Sequence, residues 1–140
     1  MAALVDSNVV VYCFDHRFPA KQAIARRLLR EGLDGRVTLS HQSLIEFVAA
    51  TTRQNRGVPP LLSDLDAWHE MENLTAMYPV LYPTEAVLLA AVQGAALHRL
   101  PWFDAHQWAY AEVFGCDEIL SEDFQHGRRY GRVRAINPFA

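Results

Sequence analysis

The sequence predicts an α/β fold, a three-layer α/β/α sandwich with a mostly parallel central sheet. Short apolar segments alternate with longer segments of helical character, in the order β-α-β-α-α-β-α-α-β-β, which is typical of parallel sheets covered by helices on both faces. The chain of 140 residues has the length of one domain and contains no repeat, low-complexity tract or linker. We therefore expect a single domain over residues 1–140.

Five short apolar segments are predicted to form the strands. The first is apolar throughout rather than alternating, which is typical of a buried parallel strand. Prolines bound the third segment on both sides. In chain order the predicted strands are Ala2–Val5, Arg36–Leu39, Val80–Tyr82, Glu118–Leu120 and Val133–Ile136.

Capping residues and helical periodicity predict the helices between these strands. Asp6-Ser7-Asn8, directly after the first strand, is a cluster of capping residues and predicts a turn or a helix start. Serine or threonine precedes three of the later helices, and Gly115 ends the last one. The predicted helices are Ala20–Arg30, Ser40 to about Arg53, Ser63 to about Met77, Thr84 to about Arg99 and Phe103–Phe114.

The composition is that of an ordinary globular protein, with 51% hydrophobic and 21% charged residues. No apolar run approaches the roughly 20 residues of a membrane span, and the N-terminus lacks the basic region of a signal peptide, so we expect a cytoplasmic protein. Cys13 and Cys116 are predicted to be buried free thiols. A net charge of −3 gives no global indication of nucleic-acid binding, but it is compatible with an enzyme that holds a few phosphates through a metal.

Four acidic residues lie beside short apolar segments from distant parts of the chain: Asp6, Glu46, Asp104 and Asp123. In parallel sheets, ligands bind outside the carboxyl ends of the strands, where such side chains would converge. Two unit charges about 4 Å apart repel by roughly 4 kcal/mol at an effective dielectric constant near 20, so converging carboxylates require protons, basic partners or a divalent cation. Oxygen ligands favour Mg²⁺ or Mn²⁺ over Zn²⁺, and phosphodiester hydrolysis suits such a site.

Each acid also has a simpler interpretation when it is considered alone. Asp6 would serve as a helix N-cap, and Glu46 would be a solvated helix residue. Asp104 would favour the start of a helix through the dipole, and Asp123 would be a turn residue. The adjacent Glu122 is a second candidate for the fourth acid, because only one of the two side chains can point inward in regular strand geometry.

Five sequence segments resemble the PIN-domain ribonucleases, and in particular the VapC-type toxins of bacterial toxin–antitoxin pairs. The resemblance covers nearly the whole chain. His106-Gln107-Trp108 is a departure from it, since many relatives are purely aliphatic there. The segments are Val5-Asp6-Ser7-Asn8-Val9, Leu44-Ile45-Glu46-Phe47, Phe103-Asp104-Ala105, Ile119-Leu120-Ser121-Glu122-Asp123-Phe124-Gln125-His126-Gly127 and Ile136-Asn137-Pro138-Phe139.

The resemblance implies a metal-dependent endoribonuclease that is neutralised by a cognate antitoxin and often dimeric. The four acids would surround Mg²⁺ or Mn²⁺ and activate a water for attack on an RNA phosphate. Ser121 would support the site by orienting a carboxylate or a metal-bound water, and Asn8 would brace the loop after the first strand. Asp123 is the fourth acid by its motif position.

Several alternatives stay open at the level of sequence. One is a non-catalytic PIN-like module that binds RNA or protein, and another is a hydrolase of DNA or phosphomonoesters with the same metal chemistry. Arg128 and Arg129 either hold RNA phosphates or lie in a solvated loop. The apolar residues Trp68, Met71, Leu74 and Met77 either pack in the core or form a groove for an antitoxin helix.

Overall fold

A computed structural model describes residues 2–140 and contains one mixed sheet. Its strands lie in the order β3-β2-β1-β4-β6-β5, and every neighbouring pair is parallel except β5 with β6. The strands are β1 (Ala3–Val5), β2 (Val37–Ser40), β3 (Val80–Leu81), β4 (Glu118–Leu120), β5 (Arg129–Tyr130) and β6 (Val133–Ile136).

Helices cover both faces of this sheet. The predicted helices are all present, and their ends differ from the expected ones by one or two residues. A 3₁₀ turn at Gly32–Asp34 follows the second helix. The helices are α1 (Ser7–Tyr12), α2 (Pro19–Glu31), α3 (His41–Thr51), α4 (Asp64–Met77), α5 (Glu85–His98) and α6 (Trp102–Phe114).

The central strand β1 is buried on both faces, which confirms the three-layer arrangement. Leu4 and Val5 are both fully buried, and because successive side chains alternate, they enter different cores. Leu4 packs in the core beneath α5 and α6, where Trp108 also lies. Val5 packs in the core formed with α1 to α4, together with Phe47. A continuous apolar strand is therefore required at this position.

The short strand β5 was not predicted. Arg129 and Tyr130 pair with Arg134 and Val133 through a hairpin whose turn begins at Gly131, which has a φ of 63°. Two residues are too few to show a strand periodicity, and the arginines around them suggested a loop. Cys13 and Cys116 are free and buried, as expected. Within residues 2–140, no helix has both the length and the apolar character to cross a membrane.

Helices α5 and α6 approach closely because Gly94 leaves room for an aromatic ring. A Cβ atom on Gly94 would lie 2.5 Å from Cε3 of Trp108 and closer still to Cζ3. The indole cannot easily move away, since its Nε1 donates a 2.7 Å hydrogen bond to the carbonyl oxygen of Tyr130. This contact sets the spacing between α5 and α6, and α6 carries Asp104.

We therefore expect Gly94→Ala to lower the free energy of unfolding by about 1–3 kcal/mol, because overpacking displaces the indole. Urea denaturation measures this effect. Gln93→Ala, at an exposed position of the same helix, is the control and should change the midpoint little. Equal stability of the Gly94 variant and the natural protein would mean that the helices separate without cost.

Candidate metal centre

Asp6 lies at the carboxyl end of the central strand β1 and is 3% exposed. It caps α1, because its Oδ1 accepts a 2.7 Å hydrogen bond from the backbone N–H of Ser7. Its own backbone N–H donates to the carbonyl oxygen of Leu120, at the end of the neighbouring strand β4. Asp6 is thus the N-cap of α1, as its simpler interpretation predicts. It also lies at the carboxyl ends of the parallel strands.

Two further carboxylates converge with Asp6. Asp104 is in the first turn of α6, which begins after Pro101, and Asp123 follows the end of β4. Each of the three residues offers an oxygen atom, and these atoms all lie within 4.8 Å of one another. Asp6 is buried, Asp104 is half-buried and Asp123 is exposed, so the group opens to solvent on one side.

Glu46 borders this group of three without belonging to it. It lies in the second turn of α3 and is half-buried, and its Oε1 accepts a 3.0 Å hydrogen bond from Nε2 of Gln42. The same Gln42 nitrogen donates to the carbonyl oxygen of Phe103 at 2.9 Å, which links α3 to the turn that carries Asp104.

Ser121 and Asn8 join the acids through direct hydrogen bonds. Ser121 Oγ donates to Oδ2 of Asp6 at 2.7 Å and accepts from the backbone N–H of Asp123 at 3.0 Å. Asn8 Nδ2 lies 3.1 Å from Ser121 Oγ and 3.0 Å from Oδ2 of Asp123. Asn8 therefore contacts an acid of the site in addition to the loop that it was expected to brace.

Asp123, rather than its neighbour Glu122, faces the other acids. The carboxylate of Glu122 accepts a 2.6 Å hydrogen bond from the hydroxyl of Tyr12 and forms a 2.9 Å ion pair with Nζ of Lys21. These two partners hold it against α1 and α2. The structure thus separates two adjacent acids that the sequence alone leaves ambiguous.

The comparisons with known proteins agree with this geometry. The family model of the PIN domain matches residues 3–132. This chain belongs to the PIN domain family. PIN domains are nucleases that use divalent metal ions.

The solved structures give the same fold. One match is described as a toxin-antitoxin complex from Klebsiella pneumoniae; it is 16% identical, with a TM-score of 0.69, and the match covers 98% of each chain. No curated protein sequence matches this PIN domain.

The electrostatics of this PIN domain favour a cation between the acids. Burial, together with the charges of Asp123 and Asp6, raises the pKa of Asp104 to about 6. Burial also raises the pKa values of Asp6 and Glu46, and the hydrogen bonds that Asp6 accepts act in the opposite direction. Three oxygen ligands with one open side fit Mg²⁺ or Mn²⁺. Within residues 2–140 this is the group of His, Cys, Asp and Glu side chains close enough to hold a metal.

Several residues of the site were not predicted from the sequence. Gln107 is 1% exposed and contacts Asp6. Ser40 and Ser43 lie behind it, and Gln42 links Glu46 to the start of α6. The signal for Gln107 was present, since a polar residue one turn after Asp104 interrupts an otherwise apolar helix face.

Arg128 and Arg129, for which the sequence left phosphate binding and a solvated loop open, are both exposed. The guanidinium carbon of Arg128 lies 4.6 Å from the ring centroid of Tyr130, and Arg129 belongs to the edge strand β5. Neither arginine forms an ion pair among the residues that the structure describes. Their charges can therefore interact with an anionic partner.

The helix α4 combines a core face with an exposed one. Leu74 is buried, whereas Trp68 and Met77 are half exposed. Trp68 and Met71 line an open apolar groove of about 520 Å³ between α3 and α4, together with Ile45. The core interpretation thus applies to Leu74, whereas Trp68 and Met71 leave an apolar groove open at the surface.

The raised pKa of Asp104 predicts a pH-dependent stability of the metal-free protein. The folded state binds the Asp104 proton more tightly than the unfolded state, so the free energy of unfolding falls as the pH rises from about 4 to about 6 and stays lower above that range. We expect Asp104→Asn to raise Tm by about 2–4 °C at pH 7 in EDTA and to change it little at pH 4.

Calorimetry of both proteins across this pH range measures the difference. Asp117→Asn, at an exposed position before β4, is the matched control and should follow the natural protein at every pH. A difference in Tm between Asp104→Asn and the natural protein that stays constant across pH would show that the folded state does not disfavour the charged form of Asp104.

Proposed function

We propose that this PIN domain is a Mg²⁺- or Mn²⁺-dependent endoribonuclease and the toxin of a VapBC-type toxin–antitoxin pair that arrests growth. The observation that carries the proposal is the convergence of Asp6, Asp104 and Asp123 within 4.8 Å at one edge of the sheet. Such a site suits phosphodiester hydrolysis, because a bound divalent cation would stabilise the charge that accumulates on the phosphate in the transition state. A cytoplasmic location follows from this role.

In the proposed mechanism Asp6, Asp104 and Asp123 would hold the metal, and Glu46 would act from the border of the site. When bound, the metal supplies a nucleophilic water of lowered pKa and stabilises charge on the phosphate. Ser121 and Asn8 orient the carboxylates of Asp6 and Asp123 through the hydrogen bonds described above. The half-buried Glu46, whose pKa is raised by burial and by the other acids, is suited to accept a proton from the attacking water.

An antitoxin partner is supported by two observations. The matched solved structure is described as a toxin-antitoxin complex, and its chain has the length and fold of this one. The groove lined by Trp68, Met71 and Ile45 presents apolar surface that suits the apolar face of an amphipathic helix. A homodimer is proposed from the family resemblance; exposed apolar residues on α5, including Leu88, Leu89 and Val92, offer a surface for it.

Inducible expression in a bacterial host, followed by mapping of RNA 5′ ends, tests the proposed activity. The natural protein should arrest growth and produce discrete new ends. Asp104→Asn and Asp123→Ala should each reduce cleavage by about 100-fold or more, because each removes a metal ligand. Asp117→Asn, which lies before β4 at the opposite edge of the sheet, should cleave like the natural protein.

The alternatives give different outcomes in the same assay. Growth arrest by both the natural protein and Asp104→Asn, without new RNA ends, would favour a non-catalytic PIN-like binding module. Faster hydrolysis of DNA or of a phosphomonoester than of RNA in purified protein would assign the metal chemistry to another substrate. Unchanged cleavage by Asp123→Ala would remove that residue from the mechanism.

Arg128 and Arg129 are proposed to bind RNA phosphates along the edge strand β5, where Arg129 is level with Glu118 at the start of β4 rather than with the acids. Replacing either arginine by glutamate should raise KM several-fold and reduce the slope of log affinity against log salt by about 1 for each phosphate that is no longer bound. Steady-state cleavage of an RNA oligonucleotide at several salt concentrations measures both values. Arg36→Glu, which lies before β2, four strands away from β5 in the sheet, should leave both values unchanged. Identical behaviour of all three variants would mean that the RNA does not contact Arg128 or Arg129.

A further inference from the structure

Gln107 places a buried amide directly behind the acids of the site. It lies on α6, one turn after Asp104, and its side chain is 1% exposed. Burying an amide costs free energy unless its hydrogen bonds are made. Among the described residues, no buried side-chain nitrogen or oxygen lacks a partner. The buried amide of Gln107 therefore has its hydrogen-bond partners within the protein.

The hydrogen bonds of Gln107 fix the orientation of its amide. Its Nε2 donates to Oδ1 of Asp6 at 2.8 Å and to Oγ of Ser43 at 3.0 Å. Its Oε1 accepts a 2.6 Å hydrogen bond from Oγ of Ser40. A flipped amide would place an oxygen against the carboxylate of Asp6, so only one orientation satisfies all three contacts.

The two serines that hold Gln107 are themselves fixed by the backbone. Ser40 Oγ accepts from the backbone N–H of Ser43 at 2.9 Å, which leaves its proton for Gln107. Ser43 Oγ donates to the carbonyl oxygen of Val5 at 2.8 Å and accepts from Gln107. The network thus connects the ends of β1 and β2 with α3 and α6, and each hydroxyl proton has one assigned acceptor.

This network restricts rotation of the Asp6 carboxylate. Oδ1 is held by Gln107 and by the backbone of Ser7, and Oδ2 is held by Ser121. These donors approach from different elements, so rotation of the carboxylate would break several hydrogen bonds at once. Metal ligands depend on such outer partners for their orientation.

We propose that Gln107 is a positioning residue for the metal centre, which holds the Asp6 carboxylate in its orientation toward Asp104 and Asp123. The proposal deepens the proposed function and rests on its metal site. Gln107 acts through Asp6 and touches neither substrate nor metal. It replaces the apolar residue expected on this helix face with a hydrogen-bond donor aimed at the first acid.

Replacement of Gln107 by methionine tests this role, because methionine keeps the length of the side chain and removes the two N–H donors of Nε2. The dissociation constant of Mn²⁺, measured by calorimetric titration of the purified chain, should rise by about 10- to 100-fold. Gln93→Met, the same change at an exposed position of α5, should leave the constant within about twofold of the natural value. Urea denaturation in EDTA reports on stability separately.

A purely structural role predicts the opposite pattern, namely a lower urea midpoint with an unchanged Mn²⁺ dissociation constant. That result would overturn the proposal, as would an equal loss of Mn²⁺ affinity in Gln93→Met. Should Gln107→Met fail to fold, Gln107→Leu provides a second apolar variant for the same titration. A crystal structure of the folded variant without metal should show the Asp6 carboxylate turned from its natural orientation; an unmoved carboxylate would contradict the proposal.

These readouts separate the proposal from the ribonuclease function. They measure metal affinity and carboxylate orientation without any RNA. A natural protein that binds Mn²⁺ but cleaves no RNA would contradict the proposed function, and the effect of Gln107 on Mn²⁺ affinity would still decide the role of this residue.

Discussion

The mutual repulsion of Asp6, Asp104 and Asp123 is the constraint on which the rest of the site depends. Three carboxylates within 4.8 Å of one another oppose folding unless a proton or a cation lies between them. Burial, together with the charges of Asp123 and Asp6, raises the pKa of Asp104 to about 6 in the metal-free protein. Hydrogen bonds hold the side chains of Asp6 and Asp123, and the first turn of α6 sets the position of Asp104.

The sheet topology explains why distant segments meet here. Strands β1, β2 and β4 are parallel neighbours, so their carboxyl ends lie at one edge and carry Asp6, Ser40 and Ser121. Helix α6 starts at the same edge and adds Asp104 and Gln107. The apolar core beneath α5 and α6, including the contact of Gly94 with Trp108, sets the position of this helix relative to the strands. Packing far from solvent thereby determines geometry at the site.

The sequence was sufficient for the features that depend on local pattern. Asp6 was predicted because it follows an apolar strand, and parallel strands bring such positions together. The same pattern placed an acid after β4, but the choice of Asp123 over Glu122 came from the family resemblance. The orientation of Glu122 could not be predicted, since it depends on Tyr12 and Lys21, which lie more than 100 residues away in sequence. The contacts of Gln107 likewise require side-chain conformations from three elements, and the two residues of β5 are too few to form a recognisable pattern.

The most direct test of the metal centre is a crystal structure of the natural protein soaked in Mn²⁺, with anomalous diffraction data. We predict an anomalous peak between the carboxylates of Asp6, Asp104 and Asp123, with oxygen ligands at about 2.0–2.2 Å. Manganese bound elsewhere on the surface, with these three acids protonated or turned apart, would contradict the assignment of a metal centre to this edge of the sheet.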